Sequence, residues 1–256
     1  MTELARRSVV ASLAGLPLAA VLADPRLARA AAAGLQDVSL TTQGGRNVKA
    51  ALALPSGAPA STVVLIHEWW GLNDQIKSVA AELAQQGYVA LAVDLYDGKV
   101  AGPGDREAAR NYMQQVAEDA ATDTLVSWIA WLKAHEKGSG KVGTVGWCFG
   151  GGWSLNASIS SPVDATVVYY GRVNRGAEDL KGLKGPVLGH FASRDRWINK
   201  EMVDGFEAAM KAAGKPFENH WYEADHAFAN PTSAAYDEPD ARQAWDRTLA
   251  FFKANL

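Results

Sequence analysis

The chain has 256 residues, 48% of them hydrophobic and 21% charged, with a formal net charge of −3 at pH 7. This is room for one sizeable domain with its own core, and the balance is that of an ordinary soluble globular protein. No basic run stands out, so a nucleic-acid partner is not expected, and a single cysteine, Cys148, excludes both an internal disulfide and a Cys-rich zinc site.

The first segment reads as a processing signal. Arg6-Arg7 precedes an apolar, small-residue stretch from Ser8 to Leu22, and Ala28-Arg29-Ala30 or Ala30-Ala31-Ala32 offers an A-x-A cleavage site. Residues 1–32 are therefore expected to be an export signal. The paired arginines suggest the twin-arginine route to a periplasmic or secreted location. The apolar stretch is shorter than the roughly 20 residues a spanning helix needs, so no stable membrane insertion is expected once the signal is removed.

Residues 33–256 are expected to form a single domain. Val38–Thr41 and Val48–Leu54 read as strands around Gly44-Gly45. Thr62–His67 is a short β-branched run suited to a strand buried on both faces. Gln75–Gln86 has helical spacing in Ile76, Val79, Ala80 and Leu83, and Gly87 ends it. Tyr88–Val93 is another buried strand, and Asp105–His135 is helical in two pieces. Val142–Val145 is a strand that leads, through the sharp turn at Cys148, into a small-residue helix from Gly152 to Ser160. Ala165–Tyr170, Val187–Ala192 and Glu218–Tyr222 are further strands, and helices are expected over Lys200–Ala213 and Ala234–Lys253. Alternation of this kind gives an α/β fold, a mostly parallel sheet with helices on both faces.

The chemistry gathers just after the apolar runs, where open α/β sheets bind ligands. Cys148 stands in Gly146-Trp147-Cys148-Phe149-Gly150-Gly151 between a strand and a helix. That is the nucleophile-elbow pattern with sulfur in place of oxygen, and its glycines leave room for so tight a turn. Glu68, Asp195 and His226 follow other strands. The order nucleophile, acid, histidine is that of the α/β-hydrolase triad. No two histidines have the i, i+4 spacing of a helical metal site, and neither a metal nor a cofactor is expected. His67 and His190 lie on strands and read as structural; His135 and His220 read as edge or solvent positions.

Several segments together resemble the dienelactone hydrolase (carboxymethylenebutenolidase) family, a cysteine-dependent branch of the α/β-hydrolases. They are His67-Glu68-Trp69-Trp70-Gly71-Leu72-Asn73, Asp94-Leu95-Tyr96, Gly143 to Gly151 around Cys148, Tyr169-Tyr170-Gly171, Asp195, and Trp221-Tyr222 leading to His226-Ala227-Phe228. The resemblance implies a hydrolase of ester or lactone bonds. Cys148 would attack the acyl carbon, His226 would carry the proton, and Asp195 would fix the imidazole. The backbone N–H groups of Phe149 and Trp69 would form the oxyanion hole. It further implies that the Glu68 carboxylate contacts the resting thiol and keeps it neutral until substrate arrives; helix capping near Asn73 is the competing role for Glu68.

Tyr96, Trp147 and Trp197 are candidate substrate-binding residues. Where the family places arginines for a substrate carboxylate, this chain has Gly98-Lys99 and Ala229-Asn230-Pro231. Lys99, Arg172, Arg194 and Arg196 are the cations that could replace them, and a neutral ester or lactone is the other possibility. The expected partner is a small-molecule substrate, and the chain is expected to be a monomer. Rival readings are a broad carboxylesterase of the same fold, a non-catalytic protein, and a thiol-redox protein centred on Cys148.

Overall fold

The computed structural model describes residues 18–256, so the Arg6-Arg7 pair and most of the apolar leader lie outside the described residues. The chain divides into two compact units, 1–140 and 141–256.

In the first unit, α1 (Leu18–Ala23) and α2 (Pro25–Ala32) precede the sheet. Asp24 caps α2, accepting the Arg26 amide with Pro25 in the first turn, as a fixed φ at the first helical position favours. Strands β1 (Gln36–Thr41), β2 (Asn47–Ala53), β3 (Ala60–Ile66) and β4 (Val89–Val93) lie in the order β1-β2-β4-β3. The β1–β2 and β2–β4 pairs are antiparallel, whereas β3 and β4 are parallel with Val64 opposite Leu91. Every residue of β4 and the last five of β3 are buried, the pattern required of strands covered on both faces.

Helix α3 (Asp74–Gln85) connects β3 and β4 and buries Ile76, Val79, Ala80 and Leu83, the stripe its spacing predicts. Its N-cap is Asn73, whose Oδ1 accepts the Ile76 amide, so the capping role considered for Glu68 is filled by another residue. Helix α2 packs on α3: the Ser78 hydroxyl lies 2.8 Å from the Ala28 carbonyl, and Val21 and Ala31 pack with Leu27, Ala30 and Ala81. The helical region expected from Asp105 to His135 forms two pieces, α4 (Arg106–Gln114) and α5 (Glu118–Lys133). No helix among the described residues is long and apolar enough to cross a membrane.

In the second unit, β5 (Gly138–Trp147, which begins three residues before the division), β6 (Ala165–Tyr169), β7 (Val187–Ala192) and β8 (Phe217–Tyr222) are parallel neighbours in chain order. Helix α6 (Phe149–Ser160) links β5 to β6, α7 (Lys200–Ala212) links β7 to β8, and α8 (Glu238–Asn255) packs on β6 and β7. One core gathers Leu155, Val168, Val187, Phe191, Val203, Phe206 and Met210. Hydroxyls fasten α6 to the sheet: Ser154 donates to the Val167 carbonyl and bonds Thr144, and Thr166 bonds Ser158, all buried. Because the strands are parallel, their carboxyl ends face one way and the loops after them converge.

Three expected boundaries shift for physical reasons. Helix α6 begins at Phe149 rather than Gly152, because the turn at Cys148 opens directly into it. Tyr170 leaves its strand, with φ +34. Helix α8 begins at Glu238 rather than Ala234. Asp237 caps it by accepting the Asp240 amide, with Pro239 in its first turn; a proline has no amide to donate and its ring clashes with a preceding helical turn, so it suits only a helix start.

Candidate active site

Cys148 sits between β5 and α6 with φ +55 and ψ −116. A non-glycine residue there is strained, and such strain gathers at functional sites. The surroundings enforce the conformation. The Cys148 amide donates to the Tyr169 carbonyl at 3.0 Å, and the Cys148 carbonyl accepts from Gly151 at 3.1 Å. A Cβ on Gly146 would collide with the Gly150 carbonyl, and one on Gly151 would lie 2.7 Å from the Tyr169 oxygen and 2.8 Å from the Gly171 Cα. The glycines are therefore required by backbone passing backbone. Phe149, the next residue, opens α6, so its amide is one of the N-terminal group that makes a helix start attractive to negative charge. The thiol itself is partly exposed and carries no disulfide.

Asp195 follows β7 and is buried. Its Oδ1 accepts the amides of Trp197 (2.8 Å) and Ile198 (3.1 Å), and its Oδ2 lies 2.6 Å from Nδ1 of His226. The loops after β7 and β8 are tied together: the Ser193 amide donates to the Tyr222 carbonyl, Arg194 to that of Ala224, and the Arg194 guanidinium meets Asp225 at 3.3 Å. Nδ1 of His226 is committed to Asp195, which leaves Nε2 for the Cys148 side chain. Burial favours the neutral imidazole, but hydrogen bonds and charge from Asp195 and Cys148 outweigh it and raise the His226 pKa to about 10. The second unit thus brings together all three residues expected to form the triad.

Rings fix the imidazole from two sides. The buried Tyr170 ring meets His226 edge-on at 5.1 Å, and Trp197 does so at 5.0 Å. Phe228 backs Tyr170 at 5.4 Å, and Ala227 between it and His226 has φ +68. Tyr170 received no role from the sequence. Its only signal was the Tyr169-Tyr170-Gly171 segment, and nothing in a tyrosine beside another tyrosine announces a left-handed backbone. Below this layer, His190 is buried with Nδ1 on the Tyr222 hydroxyl (2.9 Å) and Nε2 on Thr248 (3.1 Å). Burial, then the positive neighbours His220 and Arg247, hold its pKa well below the usual histidine value, which makes it the structural residue expected. His220 lies on the outer strand β8, partly exposed.

The remaining candidates lie in different settings. Trp147 is buried and stacked on Tyr169. In the first unit, Glu68 lies two residues past the end of β3 and is only 3% exposed, and the Gly71 amide donates to its carbonyl. His67 is buried, with Nδ1 2.6 Å from the Glu68 carbonyl and Nε2 accepting the Leu95 amide. Burial lowers its pKa, so it is a neutral structural group. Trp69 meets the Trp70 ring at a tilt, with centroids 4.8 Å apart, and lies under the Arg106 guanidinium at 5.5 Å. Tyr96 is buried against His67 and Tyr112. Of the cations, Lys99 bonds Gln115 and Arg194 pairs with Asp225, whereas Arg172 and Arg196 are exposed.

Comparison with known proteins places the chain in a family. The model of the dienelactone hydrolase family matches residues 48–256. A Saccharolobus solfataricus protein provisionally named a carboxymethylenebutenolidase is 32% identical over 247 residues, covering 82% of this chain and 95% of its own. A carboxymethylenebutenolidase of Pseudomonas putida is 29% identical over 229 residues, with 84% and 95% covered. Among solved structures, a provisionally assigned dienelactone hydrolase from Klebsiella pneumoniae superposes with a TM-score of 0.75 at 28% identity, covering 86% of this chain and 98% of the other. With its parallel strands, its elbow and a match over most of its length, this chain belongs to the dienelactone hydrolase family and is a carboxylic ester hydrolase with the α/β-hydrolase fold.

Proposed function

We propose that the protein hydrolyses an ester or lactone through a thioester on Cys148, with His226 and Asp195 completing a triad. The observation that carries this reading is the strained elbow cysteine acting, by hydrogen bond and charge, on an imidazole that Asp195 holds at 2.6 Å. A raised imidazole pKa favours the imidazolium, and an imidazolium beside sulfur favours the thiolate, which is the nucleophilic form.

The thiolate attacks the acyl carbon, and the carbonyl π pair moves onto oxygen. On collapse the carbon–oxygen bond to the alcohol breaks, and His226 gives its proton to the departing oxygen. The thioester then takes water, whose proton returns to His226, and the carboxylic acid leaves as the thiolate reforms. The Phe149 amide at the start of α6 is assigned to the developing oxyanion. The Trp69 amide and the Glu68 carboxylate enter this reading from the His67 to Asn73 motif, with Glu68 restraining ionisation of the resting thiol. The related carboxymethylenebutenolidases make a dienelactone the first substrate to try, and neutral aryl esters the second.

The test compares wild type with Cys148→Ala on both substrate types and searches for the acyl-enzyme by mass spectrometry after rapid quenching. Turnover that disappears in the variant, with an acyl adduct on the Cys148 peptide, is the expected result. Undiminished turnover in Cys148→Ala would overturn the reading.

A further inference from the structure

All nine tryptophans lie in the described residues, and only Trp197 is exposed, at 59%. A single exposed apolar side chain is ordinary. This one stands edge-on to His226, with ring centroids 5.0 Å apart and planes at 76°. Its backbone is held by the same Asp195 carboxylate that orients the imidazole, through a 2.8 Å bond from the Trp197 amide, and the next residue, Ile198, is buried and bonded to the same oxygen. The indole is therefore presented from a rigid base, with more than half of its surface left to solvent, beside the group that moves the proton.

We propose that Trp197 binds the alcohol half of the substrate, so that the enzyme prefers esters of flat, apolar or aromatic alcohols. The inference rests on the Cys148 thioester reading and assigns one side of it. In acylation the alcohol oxygen must lie within hydrogen-bond reach of the free imidazole nitrogen. Whatever is bonded to that oxygen then lies along the ring of His226, on which Trp197 borders. Once the carbon–oxygen bond breaks and the proton has crossed, the alcohol departs, and the contact with Trp197 ends with it. The acyl group stays on Cys148. Trp197 therefore acts on formation of the thioester and not on its hydrolysis.

The experiment uses the full chain and its Trp197→Ala and Trp197→Phe variants, with acetate esters of methanol, phenol and 2-naphthol and a matched phenyl series of longer acyl chains. Two-ring over one-carbon preference, as the ratio of kcat/KM for naphthyl to methyl acetate, is expected to fall about tenfold in Trp197→Ala, the scale of one aromatic contact with its buried area, and to recover in large part in Trp197→Phe. The deacylation rate, read after the burst, is expected to be the same for all three acetates within each protein. An unchanged naphthyl-to-methyl ratio, a loss that follows acyl-chain length, or a change only in molecular mass on sedimentation would overturn the proposal. Failure of the underlying reading is distinguishable, since turnover would then survive Cys148→Ala whatever the alcohol.

Discussion

Asp195 grips two elements with one carboxylate: Oδ2 lies 2.6 Å from the His226 Nδ1, while Oδ1 accepts the amides of Trp197 and Ile198. The acid therefore orients the imidazole and shapes the loop that carries the exposed indole. Asp195→Asn keeps the size but removes the charge and permits the wrong tautomer. We expect kcat/KM to fall by roughly 10³ to 10⁴, the scale of the equivalent change in serine triads. The His226 pKa should fall in the same variant, because a principal force raising it is gone. Steady-state kinetics and histidine NMR titration check the two halves separately.

The pH dependence of stability has a definite sign. His226 binds its proton more tightly in the folded state, with a pKa of about 10 against 6.5. Its contribution is fully present below pH 6.5 and is lost as pH rises through 10. Denaturant unfolding between pH 6.5 and 10 should therefore show stability declining, and the decline should be shallower in Cys148→Ala and in Asp195→Asn, each of which removes one of the groups favouring the imidazolium. Equal slopes in all three proteins would show that His226 does not bind its proton in this way.

His190 predicts the opposite dependence at the acid end. Its folded pKa is depressed by burial, its ring nitrogens being taken up by Tyr222 and Thr248. The unfolded chain takes up a proton near pH 6.5 that the folded chain refuses, so this histidine's contribution is present above that pH and is lost as pH falls. His67 behaves in the same sense. The His190 ring should not titrate by NMR between pH 6 and 7, and His190→Gln should lower stability at pH 7 while flattening the loss between pH 7 and 5.

The elbow depends on close backbone approach. In Gly151→Ala the new methyl would meet the Tyr169 carbonyl at 2.7 Å and the Gly171 Cα at 2.8 Å. Backbone atoms cannot rotate aside, so β6 and α6 must separate. We expect a cost of about 1–3 kcal/mol and a larger proportional loss of activity, since the Cys148 amide is bonded to the same Tyr169 carbonyl. Thermal unfolding and kcat/KM measured on one preparation test whether activity falls faster than stability.

Much of this architecture could be read from the chain because the relevant signals are local. The buried runs at Val63–Ile66 and Val89–Val93 have no polar residue to place on an outer face, and parallel strands need none. Gly146, Cys148 and Gly150 mark a turn whose geometry admits few other residues. What resisted sequence reading depends on contacts distant along the chain. Tyr170 adopts φ +34 with its ring buried against His226, 56 positions away, and no neighbouring residue encodes that. Trp197 could be singled out as a pocket candidate from its place beside Asp195, but its exposure, unlike that of the other tryptophans, is set by distant packing. Helix α8 was legible in part, since Asp237-Glu238-Pro239 is a helix start that apolar spacing alone places too early.

The segment expected to contain a cleavage site is a helix docked on the first unit. Ala28, Ala31 and Ala32 of α2 are buried, and the Ala28 carbonyl lies 2.8 Å from the Ser78 hydroxyl. A peptidase needs an extended backbone at the scissile bond, so a cut at Ala30 or Ala32 would have to precede docking. A chain starting at Ala33 would leave the α3 surface around Ser78 and Ala81 uncovered. Burying this small patch, offset by the ordering of α1 and α2, is worth about 1–3 kcal/mol. For a domain of this size that corresponds to a fall in Tm of roughly 3–10 °C on deleting residues 1–32. Ser78→Ala in the full chain should cost about 1 kcal/mol, the scale of one hydrogen bond, and should cost less in the shortened chain, where only the Asp74 carbonyl remains to accept it. Differential scanning calorimetry of the four proteins forms a double-mutant cycle. A coupling energy near zero would show that α2 does not rest on Ser78 in solution, and removal of the leader would then be neutral to the enzyme.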